Sequence, residues 1–232
     1  MDRLMKAYDE FFSQRVLTEH PVYYDFVANF CKGRCLDIAC ANGGWLLERV
    51  PSAIGLDFSI VAIRQVHSKG LTALVGDAHR LPFRSGAFDT VVSLGSLEHF
   101  ADPNSSLSEM SRVLKQGGHL FLTVNPKVNI AFALLERMLL AWGRLRAKNY
   151  LLQPTDSRLS AEKVTAQLKL HGLRIIFEGS YSRMVLNFGR FHRLAKKVLP
   201  FGWRAAPCAH LFFCQKGDFD ERDDYGPYFP RR

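Results

Sequence analysis

The 232 residues are 47% apolar and 23% charged, enough to bury one sizeable core, and they predict one domain with additions rather than two equal domains. The opening Met1-Asp2-Arg3-Leu4 lacks an apolar run, and no stretch reaches the roughly 18 uninterrupted apolar residues of a membrane span, so the expectation is a cytoplasmic chain. The formal charge of +9 is uneven: residues 1–126 hold 12 Lys+Arg against 13 Asp+Glu and residues 127–232 hold 19 against 9, a balance open to an ordinary basic surface or to contact with an anionic partner.

Taken in chain order, residues 1–32 carry Tyr8, Phe11, Phe12, then Tyr23, Tyr24, Val27 and Phe30 at helical spacing interrupted by Pro21, which predicts two helices covering the edge of the fold that begins at residue 34. From residue 34, apolar runs of strand length alternate with helical patterns, the mark of a parallel sheet built from βαβ units. Strands are expected at 34–39, 53–57, 71–75, 88–94 and 119–124, with helices near 43–50, 59–69 and 104–115. After Pro126 an apolar and basic segment, 129–148, breaks the rhythm, and 127–159 reads as a helical insertion: a cover helix, a substrate lid, or a surface helix touching membrane. A helix near 160–171 opens on Ser160 and stops at His171-Gly172, ahead of the apolar run 173–177; a last strand is expected at 209–214, and 217–232 reads as a mobile tail.

Five cysteines, Cys31, Cys35, Cys40, Cys208 and Cys214, form neither a C-x-x-C pair nor an even set. They read as buried small hydrophobes, and no metal is assigned to them.

The chemistry concentrates at strand ends. The first strand leads into Asp37-Ile-Ala-Cys-Ala-Asn-Gly-Gly44, whose small residues let backbone pass close to a ligand. Ala39 and Ala41 stand where the dinucleotide fingerprint needs glycine, and Asp37 would repel a pyrophosphate while attracting an ammonium group. Asp57, 20 residues on, ends the second strand, where an acid can accept from ribose hydroxyls. Asp77 follows the third strand, where a carboxylate can accept from an adenine amino group. Each acid alone is more often a turn or cap residue. Three at consecutive strand ends point to a nucleoside-bearing cation.

On the stretches Cys35 to Gly44, Gly55 to Ser59, Gly76 to Phe83, Phe88 to Phe100 and Leu107 to Val124, the chain resembles the class I S-adenosylmethionine-dependent methyltransferases of the small-molecule, ubiquinone-pathway type. The resemblance implies an α/β, Rossmann-like doubly wound sheet of seven strands in the order 3-2-1-4-5-7-6, mostly parallel with an antiparallel last strand, helices on both faces. It implies S-adenosyl-L-methionine as cofactor, with Asp37 and Gly43 toward the methionine part, Asp57 toward the ribose and Asp77 with Ala78 toward the adenine. Ala39, Cys40, Ala41, Phe58, Ser93 and Leu94 complete the expected cofactor contacts. Ala39 and Ala41 replace glycines of the pattern, and Ala41 leaves less clearance beside the cofactor; Gln116 stands where proline is common.

The segment Ser93 to Phe100 should lie beside the reactive methyl group. His99 there reads either as a base for an acceptor hydroxyl or as a structural histidine. Some quinone O-methyltransferases hold a metal with a further Glu three residues before the Glu-His pair; that position is Gly95, so no metal is expected. The expected acceptor is a small molecule, lipid-like, isoprenoid or anionic, since Arg183, Arg190, Arg193, Lys196, Lys197 and Arg204 interleave with aromatics over 183–204. A nucleic acid is the competing partner, favoured by a pI near 9.5 and disfavoured by the missing Asn/Asp-Pro-Pro-aromatic turn of base-amino methylases. A cofactor-binding domain without turnover is the third reading.

Overall fold

A computed structural model describes residues 2–13, 21–124, 159–181 and 209–217. The expected insertion over 127–158, the basic and aromatic stretch 183–204, Cys208 and the tail beyond 217 lie outside the described residues. The elements run α1 (Asp2–Ser13), α2 (Pro21–Ala28), β1 (Cys35–Ile38), α3 (Trp45–Arg49), β2 (Ala53–Asp57), α4 (Ile60–Ser68), β3 (Ala73–Val75), β4 (Phe88–Leu94), a 3-10 turn (Leu97–His99), α5 (Pro103–Val113), β5 (Leu114–Val124), α6 (Ala161–Leu170), β6 (Leu173–Tyr181) and β7 (Ala209–Lys216).

The sheet has seven strands in the order β3-β2-β1-β4-β5-β7-β6, as the resemblance implied. β3, β2, β1, β4 and β5 run parallel, and β7 lies antiparallel between β5 and β6. The strand order turns back between β1 and β4, so the crevice beyond their carboxyl ends is where an open sheet of this kind takes its ligand.

Both faces of the sheet are covered, and residues alternate between two cores. Leu36, Ile38, Val91, Leu120, Leu122 and Phe212 join Leu107 and Met110 of α5 and Val164 and Leu168 of α6 on one face. Cys35, Val92, Phe121, Leu211 and Phe213 join Val27 of α2, Leu46 of α3 and Ile63 and Val66 of α4 on the other. Each fully buried Leu or Phe of this kind stabilises the fold by about 1.5–3 kcal/mol. α1 and α2 lie against α4 and α3. The rings of Phe26 and Phe30 continue onto Phe121 and Phe213.

Helix ends follow local chemistry. Ser59 Oγ accepts from Ala62 N–H (3.1 Å) at the start of α4. Asp102 accepts from Asn104 and Ser105 N–H, with Pro103 at the first helical position of α5. The predicted start and stop of α6 hold: Ser160 accepts from Lys163 N–H (3.3 Å), and Gly172 takes φ +68° after His171.

Several boundaries differ from expectation. β3 starts at Ala73 rather than 71, because this edge strand pairs with β2 alone, over three residues. β5 starts at Leu114, paired with Phe88, and its register then jumps so that Thr90 faces His119. The intervening Lys115-Gln-Gly-Gly118 bulges out, with Gly117 at φ +74°. Gln116 therefore sits in the bulge, exposed.

An ion pair ties the loop after β3 to α5. Arg112 Nε and Nη2 donate to Glu109 (2.6 and 2.8 Å), its Nη1 to the carbonyl of Phe83 (2.8 Å) and its Nη2 to that of Leu81 (3.1 Å). Glu109 in turn accepts from Leu81 N–H (2.7 Å). The guanidinium holds the Glu109 carboxyl below its ordinary range. Arg112→Ala is expected to lower the unfolding free energy by about 2–3 kcal/mol, since it strands a charged acceptor and two carbonyls. Lys115→Ala, which breaks only the surface pair with Asp89 (2.6 Å), should cost about 0–1 kcal/mol. Urea unfolding of both variants measures the contrast, and equal losses would mean that Arg112 is no clamp.

Candidate active site

The carboxyl edge of the sheet gathers the residues singled out in the sequence. β1 delivers Asp37 in register with Gly55, one step short of the pairing of Ile38 with Leu56, and Asp57 closes β2 beyond it. Both acids are 5% exposed. Parallel neighbours of this kind place two carboxyls side by side, out of water.

The two acids are held differently. Asp57 accepts from Ala41 N–H through Oδ2 (2.9 Å) and from Ser59 N–H through Oδ1 (2.9 Å). Burial pushes its carboxyl up to about 6, with backbone N–H groups of Ser59, Ala41 and Phe58 pulling the other way. Asp37 has no such relief: burial first, and the charge of Asp57 second, push it up to about 8, and nothing among the described residues opposes them. This carboxyl fits a cationic partner such as the ammonium of a methionine moiety.

The turn after β1 is built on left-handed backbone. Ala39 (φ 58°), Ala41 (φ 55°) and Gly44 (φ 61°) all lie in the region that favours glycine. Three contacts hold it there. Cys40 N–H donates to the carbonyl of Leu56 (3.1 Å), Ala41 N–H to Asp57, and Lys69 Nζ, from the end of α4, to the carbonyl of Gly43. Trp45 lies so close over Gly43 that a Cβ there would overlap its ring, so this position admits only glycine. The departure from the glycine pattern is thus a matter of backbone strain at 39 and 41 as well as of clearance.

The remaining expected contacts divide by what they can present. Cys40 and Ala78 turn their side chains into the two cores, which leaves only backbone for a ligand. Burial raises the Cys40 thiol well above its ordinary value. Phe58 is half-buried beside Asp57. Ser93 lies opposite Ile38 on β4, buried, its Oγ 2.6 Å from Ser96 Oγ. Leu94 is half-buried against the core on the α4 side. His99 is half-buried in the 3-10 turn, with Nε2 3.8 Å from Oε1 of the buried Glu98.

Asp77 forms a second cluster beyond β3. Its Oδ1 accepts from the backbone N–H (2.9 Å) and the ring Nδ1 (2.5 Å) of His79. Three partners escaped the sequence reading: His79, Lys69 and Asp9. Asp9 of α1 accepts from Ser59 Oγ (2.5 Å) and Val61 N–H (3.2 Å), so the N-terminal helix seats on the start of α4 next to Asp57. The Asp-x-His spacing of an Asx turn could have revealed His79. No local pattern joins residues 9 and 59.

Of the cysteines, Cys35, Cys40 and Cys214 are buried, as expected, and Cys31 is half-buried with its Sγ 3.7 Å from that of Cys35. Among the described residues no helix is long and apolar enough to cross a membrane.

Known proteins are similar to this chain in sequence and fold. Residues 36–122 match the family described as Methyltransferase domain. A demethylmenaquinone methyltransferase of Thermus thermophilus is 32% identical over 167 residues, 62% of this chain and 76% of that protein. A tRNA (carboxymethyluridine(34)-5-O)-methyltransferase, alkbh8, of Xenopus tropicalis is 34% identical over 127 residues, 51% of this chain, which spans only 20% of that protein's length. The crystal structure of Haemonchus contortus phosphoethanolamine N-methyltransferase 2 in complex with S-adenosyl-L-methionine shares the fold at a TM-score of 0.60 and 17% identity, over 94% of this chain and 58% of that one.

Two outcomes test the site's energetics. Relief of left-handed strain at residue 41, about 1–2 kcal/mol, exceeds the entropic cost of glycine, about 0.5–1 kcal/mol, so Ala41→Gly should raise the denaturation midpoint modestly. An unchanged or lower midpoint would count against strain in the turn. Asp37 and Asp57 bind protons more tightly folded than unfolded, where their ordinary value is 3.8. The stability they lend is complete below about 4, falls most steeply to about 6 while both differ, and is lost at about 8. Asp37→Asn should flatten the fall between pH 6 and 8, measured by urea unfolding across pH.

Proposed function

Because this chain belongs to the S-adenosylmethionine-dependent methyltransferases, we propose that it methylates a hydroxyl, amine or carbon of a small acceptor, with lipid-like or isoprenoid molecules as the first class to test. A relative of which it spans 76% is named for demethylmenaquinone. The observation that carries the site assignment is the buried Asp37 carboxyl, pushed up to about 8 beside Asp57. A lone cation is what such a carboxyl selects.

S-adenosylmethionine supplies an electrophilic methyl group on a sulfonium, open to in-line displacement by an acceptor atom. In our reading Asp37 and Gly43 hold the methionine part, Asp57 the ribose hydroxyls, and Asp77 with the backbone of Ala78 the adenine. Ala39, Cys40 and Ala41 present their backbone along the same turn, and Phe58 flanks the nucleoside. Ser93 and Leu94 line the floor beside the reacting centre. Asp37 gives up its proton when an ammonium group pairs with it, so the charge pair forms in a low-dielectric site, where it is stronger than in water. In the same reading His99, whose Nε2 lies 3.8 Å from Oε1 of Glu98, takes a proton from an acceptor hydroxyl. Positioning and exclusion of water supply the remaining acceleration.

A second reading, RNA methylation, is supported by the basic charge of the chain and by relatives named for tRNA, the Xenopus one among them. Cell extract incubated with methyl-labelled cofactor separates the two readings. Label in the organic-soluble, low-mass fraction supports the small acceptor, and label that ribonuclease releases from a polymer overturns it.

Two further outcomes are expected. At pH 7, binding of S-adenosylhomocysteine should release close to one proton from Asp37, seen as calorimetric heats that differ between buffers of different ionisation enthalpy. Asp37→Asn should abolish that difference, whereas equal heats for the unaltered protein would remove Asp37 from the ammonium site. His99→Ala should depress turnover about 100-fold or more if it is the base; unchanged turnover would make His99 structural.

A further inference from the structure

The loop after β3 contains a histidine whose two ring nitrogens both have assigned tasks. Its Nε2 accepts from the backbone N–H of Asp102 (3.1 Å), the residue that caps α5. An accepting Nε2 leaves the proton on Nδ1, which donates to Asp77 Oδ1 at 2.5 Å. The backbone N–H of His79 donates to the same oxygen at 2.9 Å. One carboxylate oxygen of Asp77 thus receives two donors from one residue, and among the described residues no donor reaches the other. The ring packs edge-on against Phe100 (centroids 5.9 Å apart, planes at 66°), at the end of the segment that follows β4. The His79 side chain is 26% exposed and that of Asp77 33%, so the pair lies at the surface of the crevice rather than in the core.

We infer that His79 is a positioning residue that sets cofactor specificity: by occupying Asp77 Oδ1 it aims Oδ2 as a pure acceptor, which selects a 6-aminopurine over a 6-oxopurine. This rests on the placement of adenine at Asp77 proposed above. An exocyclic amino group donates to a carboxylate oxygen, whereas a 6-oxo group confronts it with a second acceptor, an unpaired and repulsive contact. A carboxylate free to rotate would lose much of that discrimination, because either oxygen could then swing aside or take a water. The Asp102 amide contributes by fixing the tautomer, and through it the start of α5 and the loop carrying Phe100 share a frame with the purine end of the site.

The test compares binding of S-adenosylhomocysteine and its 6-oxo analogue, S-inosylhomocysteine, by calorimetry on the full chain. The unaltered protein should prefer the amino form by at least about tenfold, the worth of one hydrogen bond to a charged group. His79→Phe keeps the ring against Phe100 and removes both nitrogens; it should shrink that preference severalfold, mainly by weakening the amino form. Asn places a donor near the Nδ1 position and Gln places its amide near Nε2, so His79→Asn should keep most of the preference and His79→Gln should lose it. A merely structural histidine would alter stability without moving the ratio. The inference is overturned if Asp77→Asn abolishes the preference while all three His79 variants retain it. If Asp77→Asn itself leaves the ratio unchanged in a protein that still binds S-adenosylhomocysteine, the adenine placement falls, and the inference with it. Should His79→Phe fail to fold, the contrast between the Asn and Gln variants decides alone, and equal ratios in those two would overturn the inference.

Discussion

Two carboxyl groups, Asp37 and Asp57, sit at the ends of adjacent parallel strands with 5% exposure each, and the surrounding structure is arranged around that burden. Burying a carboxylate without a partner is among the costliest things a fold can do. At Asp57 the cost is offset by backbone: Ala41 from the turn after β1 and Ser59 from the start of α4 both donate to it. Ser59 also caps α4 and holds Asp9 of α1, so the N-terminal helix, the first turn of α4 and Asp57 form one hydrogen-bonded unit. Asp37 receives no such offset among the described residues, and its carboxyl is pushed up further than that of Asp57.

The left-handed turn at 39–44 follows from the same pair. For Ala41 N–H to reach Asp57, the chain must double back across the end of β2, and Ala39 and Ala41 adopt positive φ to do so. Lys69 then fastens the far side of the turn through the carbonyl of Gly43. The opposite wall is tied down by different means. Arg112 and Glu109 grip the chain at Leu81 and Phe83, and His79 bridges Asp77 to the cap of α5, so α5 carries both the packing of the sheet's other face and the orientation of Asp77.

Much of this frame was legible in the residues. The alternation of apolar runs and helical patterns marks the parallel strands because such strands are buried on both faces, and caps such as Ser160 and the stop at His171-Gly172 act within a few residues of their own position. Other features were legible only in part. The start of β5 at Leu114 was hidden because Lys115 to Gly118 is a polar, glycine-containing run that reads as a turn, whereas it is a bulge within a strand whose register resumes at His119. The short β3 was overextended because an edge strand is limited by the length of its one neighbour, which no local pattern records.

Strand ends were thus determined by sequence alone: Asp37 and Asp57 fall at the ends of successive apolar runs, Asp77 follows the third, and a parallel sheet brings all such ends to one edge. Tertiary structure decided which acid is stabilised and which is not, since that depends on a donor 16 residues away, the backbone N–H of Ala41. It likewise decided that Cys40 and Ala78 face the cores, so that only their backbone remains for a ligand. The physical reason is range. Periodicity and capping are local and are written in neighbouring residues, whereas the charge state of a buried carboxyl is set by whatever the fold packs against it.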